Sequence, residues 1–321
     1  MKTLFAVAIL TVGAIVAPVE AQEAARIPRV GFLHPTSRSH PMFDEFRREL
    51  AKLGYVEGQN IIIEPRFAEG QYDRVPELAA ELARLKVDVI AIQGAVTVRA
   101  AKKVITTTPM VFVIVLDPVT EDVVANLERP GGNITGVTTF DPQQARKQLE
   151  LLKEAIPSLK RVALLGDRGV SEALMNAGEE QARALGLQSQ RFRVAGPTPD
   201  LEGAFAAFRQ GHADAVMVLE EPVPMINRKR IAELAARDRL PTMFPPTGAD
   251  AGALMTYGTS FVEGYRRMAA YVDKILKGAK PGDLPVQTVS SYELTVNLKT
   301  AREIGVTIPP EVVKRADRVI Q

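Results

Sequence analysis

The chain contains no cysteine, no tryptophan and three histidines. Without cysteine there is no disulfide framework, no thiolate metal site and no thiol nucleophile, and no lipid-modified cysteine to tether a secreted protein. His34 and His40 share one stretch while His212 lies far along the chain, too few and too scattered for a metal centre, and the first two read as polar loop residues. Charge of one sign is also missing. Lys and Arg number 40 against 38 Asp and Glu, a formal net charge of +2, with the basic residues scattered, so nucleic acid and membrane surfaces are not expected partners. No Gly-x-Gly-x-x-Gly follows a strand-like run, and no Gly-x-x-x-x-Gly-Lys-Ser/Thr is present, so nucleotide phosphate grips are not signalled. Glu220 and Glu221 are adjacent on what reads as extended chain. They point to opposite faces and make a poor acid/base pair. No enzyme, cofactor or metal is expected.

What the chain does have is length and alternation. With 321 residues, 46% apolar and 24% charged, it is globular and too long for one ordinary core, which suits two domains. Lys2 followed by the 14-residue apolar run Leu4–Ala17, with a small residue at Ala21, has the form of a secretion signal. Residues 1–21 are expected to be removed by cleavage after Ala21, leaving a protein free in the periplasm.

Beyond that segment, short apolar runs alternate with helical patterns. Arg29–Leu33, Asn60–Phe67, Asp88–Ile92 and Met110–Leu116 read as strands, separated by helices over 41–53, 73–85 and 96–105. The strands are near-continuously apolar rather than alternating, the pattern of a parallel sheet covered on both faces. Pro130-Gly131-Gly132 marks a turn, Ile134–Phe140 a strand and Asp141-Pro142 a helix start. After it the alternation begins again: strands at 161–165, 188–194, 214–219 and 241–244, with helices at 142–156, 171–185, 199–211 and 227–237. The tail adds strand-like 253–257, an amphipathic helix over 261–276, a strand at 291–298, a short helix at 300–304 and a last helix over Pro309–Ile320.

The expected fold is therefore α/β, two doubly wound parallel-sheet lobes, with the stretch around 128–141 as the first crossing between them. A tail this long is expected to recross, at Tyr257-Gly258 and at Pro285–Thr288. This assigns residues 28–138 plus 257–286 to one lobe and 139–256 plus 287–321 to the other, joined by a three-segment hinge.

In open α/β sheets ligands sit beyond the carboxyl ends of the strands. In the first lobe those ends are Pro35-Thr36-Ser37, Gly94-Ala95-Val96-Thr97 and Asp117-Pro118. In the second they are Asp167-Arg168, Glu220-Glu221-Pro222 and Pro246-Thr247. Gly94 and Ala95 open a helix whose free N–H groups suit a carboxylate. Thr36 and Thr97 offer hydroxyls, and Asp167 and Thr247 are further candidates at these ends. Asp117 or one of the two glutamates, Glu220 or Glu221, suits an ammonium, and Arg168 a carboxylate in a bidentate pair. Phe140 and Tyr257, beside the hinge, suit an aromatic or apolar group.

Several stretches, in order along nearly the whole mature chain, carry a resemblance: Gly54-Tyr-Val-Glu-Gly-Gln-Asn60, Ala68-Glu-Gly-Gln-Tyr-Asp-Arg74, Arg129-Pro-Gly-Gly-Asn-Ile-Thr-Gly136, Tyr257-Gly258, Ile275-Leu-Lys-Gly-Ala-Lys-Pro281, Asp283-Leu-Pro285 and Asn297-Leu-Lys-Thr300. The chain resembles the substrate-binding proteins of ATP-binding-cassette importers, in the family with tryptophan- and tyrosine-binding members. The resemblance implies a type I periplasmic-binding fold, a monomer that closes on a small solute such as an amino acid or related carboxylate, and membrane permease and ATPase partners. A subunit that senses the ligand for a signalling receptor would look the same, and genes for a permease and ATPase nearby would separate the two; the less favoured alternative, an enzyme using the cleft, would show itself by turnover of a bound compound. The family commonly has Thr/Gly-Gly-Pro-Ala where this chain has Gln93-Gly94-Ala95-Val96, and an Asn-Pro-Asn-rich loop where it has Gly166-Asp167-Arg168-Gly169. Its aromatic ligands therefore do not carry over directly.

Overall fold

The computed structural model describes residues 26–321 except Ser39, Leu116, Thr120, Phe140, Pro142, Val170, Ser171 and Pro197. The expected secretion signal and Phe140 lie outside the described residues.

The first half runs β1 (Arg29–His34), α1 (Met42–Lys52), β2 (Ile62–Phe67), α2 (Val75–Arg84), β3 (Val89–Gln93), α3 (Ala95–Lys102), β4 (Met110–Val115) and β5 (Ile134–Thr138). The second runs α4 (Gln144–Ala155), β6 (Arg161–Asp167), α5 (Ala173–Ala184), β7 (Gln188–Val194), α6 (Leu201–Gln210), β8 (Ala215–Val218), α7 (Pro222–Ile226), α8 (Arg228–Arg237), β9 (Thr242–Phe244) and β10 (Met255–Thr259). Then come α9 (Phe261–Leu276), β11 (Gln287–Thr288), β12 (Tyr292–Asn297), α10 (Leu298–Ile304), α11 (Pro310–Lys314) and β13 (Arg318–Ile320).

The strands form two sheets, ordered β11-β5-β4-β3-β1-β2 and β13-β12-β10-β9-β8-β6-β7. Apart from β13, the two orders correspond strand for strand, so the duplicated pattern in the sequence is a duplicated topology. The first sheet is parallel throughout. The second contains one antiparallel pair, β10 with β12.

Double winding follows from strand alternation. All six residues of β4 are buried, yet successive side chains point to opposite faces. Val30, Phe32, Val89, Ala91, Val111 and Val113 pack with α1 and α9 on one face of the first sheet. Their neighbours Leu33, Ile90, Ile92, Met110 and Phe112 pack with α2 and α3 on the other. In the second sheet, Val162, Leu164 and Met217 face α4 and α5, while Ala163, Leu165 and Val216 face α6 and α8. Each fully buried Phe, Leu or Ile contributes about 1.5–3 kcal/mol.

Three segments join the sheets: residues 139–143 between β5 and α4, Ser260 between β10 and α9, and 289–291 between β11 and β12. Tyr257 and Gly258 are not themselves a crossing. They pair with Leu294 and Glu293 in the second sheet. Gln287 and Thr288 likewise pair with Val137 and Thr138 in the first. The chain crosses just after each pair. At the second crossing Ser260 accepts the Glu263 N–H at 3.4 Å, capping α9 as it returns to the first sheet. The expected last helix stops at Lys314. Asp317 takes the Leu294 N–H at 2.8 Å, which turns 318–320 into a strand along β12 instead.

Gly136 in β5 lies opposite Phe112 of β4. A Cβ there would sit 2.3 Å from the Phe112 carbonyl oxygen and 2.5 Å from Cγ of its ring. Backbone cannot yield as a flexible side chain can. Gly136→Ala is expected to destabilise the protein by about 1–3 kcal/mol, read as a lower urea midpoint with unchanged slope.

Candidate functional site

Neighbours β1 and β3, and in the second sheet β6 and β8, connect to strands on opposite sides of themselves. Each such reversal leaves a crevice beyond the strands' carboxyl ends. The two crevices open into one cleft, with residues of both halves in its walls.

Its first recess, about 620 Å³ with its open mouth included, is walled by Gln93–Thr97 from the first half and Glu220–Pro222 from the second. Gly94 has φ +81° and ψ +144°, a conformation a side chain would strain, and this swings the chain from β3 straight into α3. The Gly94 N–H is spent on the Val113 carbonyl at 3.0 Å, and the Gly94 carbonyl accepts from Val98 at 3.0 Å. Among the described residues, the N–H groups of Ala95, Val96 and Thr97 find no partner. They lie at the positive end of the α3 dipole and line the recess, an arrangement suited to an anionic group. Buried residues steady the rim: Tyr265 O–H donates to Gln93 Oε1, and His34 Nε2 lies 3.1 Å from the same hydroxyl. His34 ends β1 and His40 lies in the connection that follows, and both are buried.

Opposite stands Glu220. Its Oε1 is sealed from solvent without a hydrogen-bond partner. Burial pushes the carboxyl up to about 8, a hydrogen bond from Gln144 offsetting part of the effect. Gln144 is held in place because its own Oε1 accepts the Thr259 N–H at 3.3 Å. The adjacent Glu221 is also pushed up to about 8, by burial first and by the Asp167 charge. It accepts the Asp167 N–H.

The second recess, about 930 Å³, joins the first through Glu121, Leu174 and Glu220, which line both. Leu174, Met217 and Leu219 supply apolar wall, and Asp117, Thr139 and Gln144 are among its polar residues.

The halves touch at one side of the cleft. Tyr72 donates its hydroxyl to Asp167 Oδ2 at 2.9 Å, and its ring lies so close over Gly169 that an added Cβ would be 2.6 Å away. Burial and the Asp167 charge hold the Tyr72 hydroxyl far above its usual range. Tyr72→Phe leaves Asp167 Oδ2 its second donor, the Val223 N–H at 3.0 Å, so nothing buried is orphaned. The expected cost is about tenfold in ligand affinity, from the lost charge-assisted contact between the halves, measured by calorimetry.

Of the residues expected from sequence, Gly94, Ala95 and Thr97 line the first recess, Asp117 the second and Glu220 both. The others lie elsewhere. Thr36 is buried with its hydroxyl 2.8 Å from His34 Nδ1. Asp167 is taken up by Tyr72, Val223 and Gly169. Arg168 is exposed and donates to the Arg193 carbonyl at 3.2 Å. Thr247 is buried and donates to the Met225 sulfur at 3.3 Å. Tyr257 stacks on Tyr292, ring centroids 5.8 Å apart, over a separate open depression. Sequence reasoning did not single out Tyr72, Glu121, Gln144 or Leu174, which sit in helices or connections without a local mark.

Residues 37–320 match the family described as ABC transporter substrate binding protein. A tyrosine-binding protein of Clostridioides difficile (strain R20291) is 24% identical over 273 residues, covering 83% of this chain and 78% of that protein. Among solved structures, a conserved domain protein from Vibrio cholerae superposes with a TM-score of 0.84 at 26% identity, over 92% of this chain and 100% of that one. An ABC domain from Streptococcus pneumonia in complex with L-Trp gives 0.78 at 25% identity, over 91% and 100%.

Proposed function

Because the chain belongs to the ABC transporter substrate-binding protein family, we propose that it is the solute receptor of an importer, which takes up an amino acid or related carboxylate between its lobes and closes on it. The family and its structural neighbours are binding proteins, not enzymes, and the fold is the type I periplasmic-binding fold. On this reading the moving bodies are residues 28–138 with 261–288, and 144–259 with 292–321. The closed form docks on a membrane permease served by an ATPase, in the periplasm after removal of residues 1–21.

One observation carries the ligand chemistry. Two unsatisfied poles from different lobes line one recess, the free amides opening α3 and the sealed Oε1 of Glu220. An amino acid with its carboxylate on Ala95–Thr97 and its ammonium on Glu220 satisfies both at once. Because those contacts need both lobes, the ligand favours the closed arrangement by its differential affinity. Gln93 and the Thr97 hydroxyl are further polar groups at the same wall.

The test is a thermal-shift and calorimetric screen of the purified protein with amino acids and small carboxylates. Ligand at about 100 times its dissociation constant should add roughly 2.7 kcal/mol of stability, several degrees of melting temperature. The proposal fails if no amino acid or related acid shifts the transition.

A further inference from the structure

Gln93 ends β3 at the wall of the first recess, beside the free amides that open α3. Resting on the solute-receptor reading, we propose that Gln93 determines specificity. A buried hydrogen-bond relay turns its amide N–H groups, and not its carbonyl, toward the solute, so that the recess takes a free carboxylate and rejects a carboxamide.

A side-chain amide has a donor end and an acceptor end of nearly the same shape, so its direction is set by its partners. Behind Gln93 that direction follows from a group that cannot be reversed. The Thr36 backbone N–H can only donate, and it does so to His34 Nδ1 at 3.2 Å. Nδ1 is therefore an acceptor, and the Thr36 hydroxyl, 2.8 Å away, donates to it as well. A neutral imidazole with a bare Nδ1 carries its proton on Nε2. His34 is neutral because burial, and then the neighbouring His40, hold it well below its usual range. Its Nε2–H donates to the Tyr265 oxygen at 3.1 Å, which leaves the Tyr265 O–H for Gln93 Oε1. His34 also hydrogen-bonds Gln93 itself, offsetting part of the lowering. His34, Thr36 and Tyr265 are each at most 1% exposed, so water does not compete for these bonds. They are positioning residues, holding the carbonyl end of Gln93 from behind.

The other end of the amide is left for the recess. Its N–H donors join those of Ala95, Val96 and Thr97 in a wall made of donors. Among the described residues lining this recess there is no Lys, Arg or His, so an anionic group is met there by hydrogen bonds alone. Both oxygens of a carboxylate accept from such a wall. A carboxamide turns its NH2 against one of the donors, and both sides then lose a bond in a desolvated place. That mismatch costs more than a missing contact. The Thr97 hydroxyl can donate or accept and does not discriminate. Gln93, fixed in direction, does.

The experiment is calorimetry on the purified protein with the common L-amino acids, then with the α-carboxamide of the tightest binder. The acid should bind about 100-fold or more tighter than its amide. Gln93→Met removes the donors, and should weaken the acid about tenfold while changing the amide by less than about threefold. Gln93→Glu keeps an acceptor for the Tyr265 O–H, which preserves the relay, but sets a carboxylate oxygen toward the recess. It should bring the amide level with the acid or ahead of it. Nitrogen NMR of the unliganded protein should find His34 as the Nε2–H tautomer. Four results would each overturn the assignment and leave the receptor reading intact: acid and amide binding alike to the unaltered protein, a Gln93→Met loss shared equally by both, a Gln93→Glu variant that prefers the acid as strongly as before, or an Nδ1–H His34. If no amino acid binds, both fall together.

Discussion

Glu220→Gln is expected to weaken solute binding by roughly 30- to 1,000-fold, the 2–4 kcal/mol that goes with removing one partner of a buried charge pair. The substitution keeps the shape of the side chain and its place beside Gln144, but removes the charge that an ammonium needs. Stability of the unliganded protein should move the other way. Burial raises the folded-state value of Glu220 to about 8, well above that of an unfolded carboxyl. Its contribution is therefore full at acid pH and is lost as pH rises through about 8. Near neutrality the residue is already a cost to the empty protein, so Glu220→Gln should hold or raise the melting temperature while abolishing tight binding. Loss of binding together with loss of stability would mean that Glu220 is structural.

Affinity for an amine-bearing solute should rise about tenfold per pH unit between pH 6 and 8, close to 100-fold in all, and level off near 8. The empty site holds a proton on Glu220 over that range because burial disfavours its carboxylate. An incoming ammonium requires the carboxylate, so binding releases the proton and is opposed by acid. Asp117, Glu121 and Asp141 line the same cleft, and Glu221 is also raised to about 8. Glu221, however, is engaged with the Asp167 N–H. Glu220→Gln should therefore reduce the number of protons released by one. Calorimetry in buffers of different ionisation enthalpy counts those protons directly.

Much of the architecture is legible in the residues, because βα units leave local marks. Strands such as Met110–Val115, buried on both faces, are unbroken apolar runs, and helices such as α9 repeat their apolar positions every three or four residues. Gly94–Thr97 could be found for the same reason, being a glycine and a helix start directly after a buried strand. Other features are set by distant partners. Arg318–Ile320 is a strand because β12 offers it an edge, and nothing within the segment forbids a helix. Asp167 is in the expected loop, but Tyr72 from the other half and the nearby Val223 N–H take its carboxylate. Gln144 reaches Glu220 only because the first crossing brings α4 beneath the cleft. Such residues become visible when the halves are assembled, not from spacing along the chain.

The central claim, that two lobes close on a solute held between them, is open to one direct measurement. Asp73 and Arg168 are exposed on either side of the Tyr72–Asp167 contact, and the chain contains no cysteine to interfere. Asp73→Cys with Arg168→Cys, spin-labelled and measured by double electron–electron resonance, should show a broad or longer distance without ligand and a single short one at saturation. A distance distribution that does not change when calorimetry shows the solute bound would contradict the account.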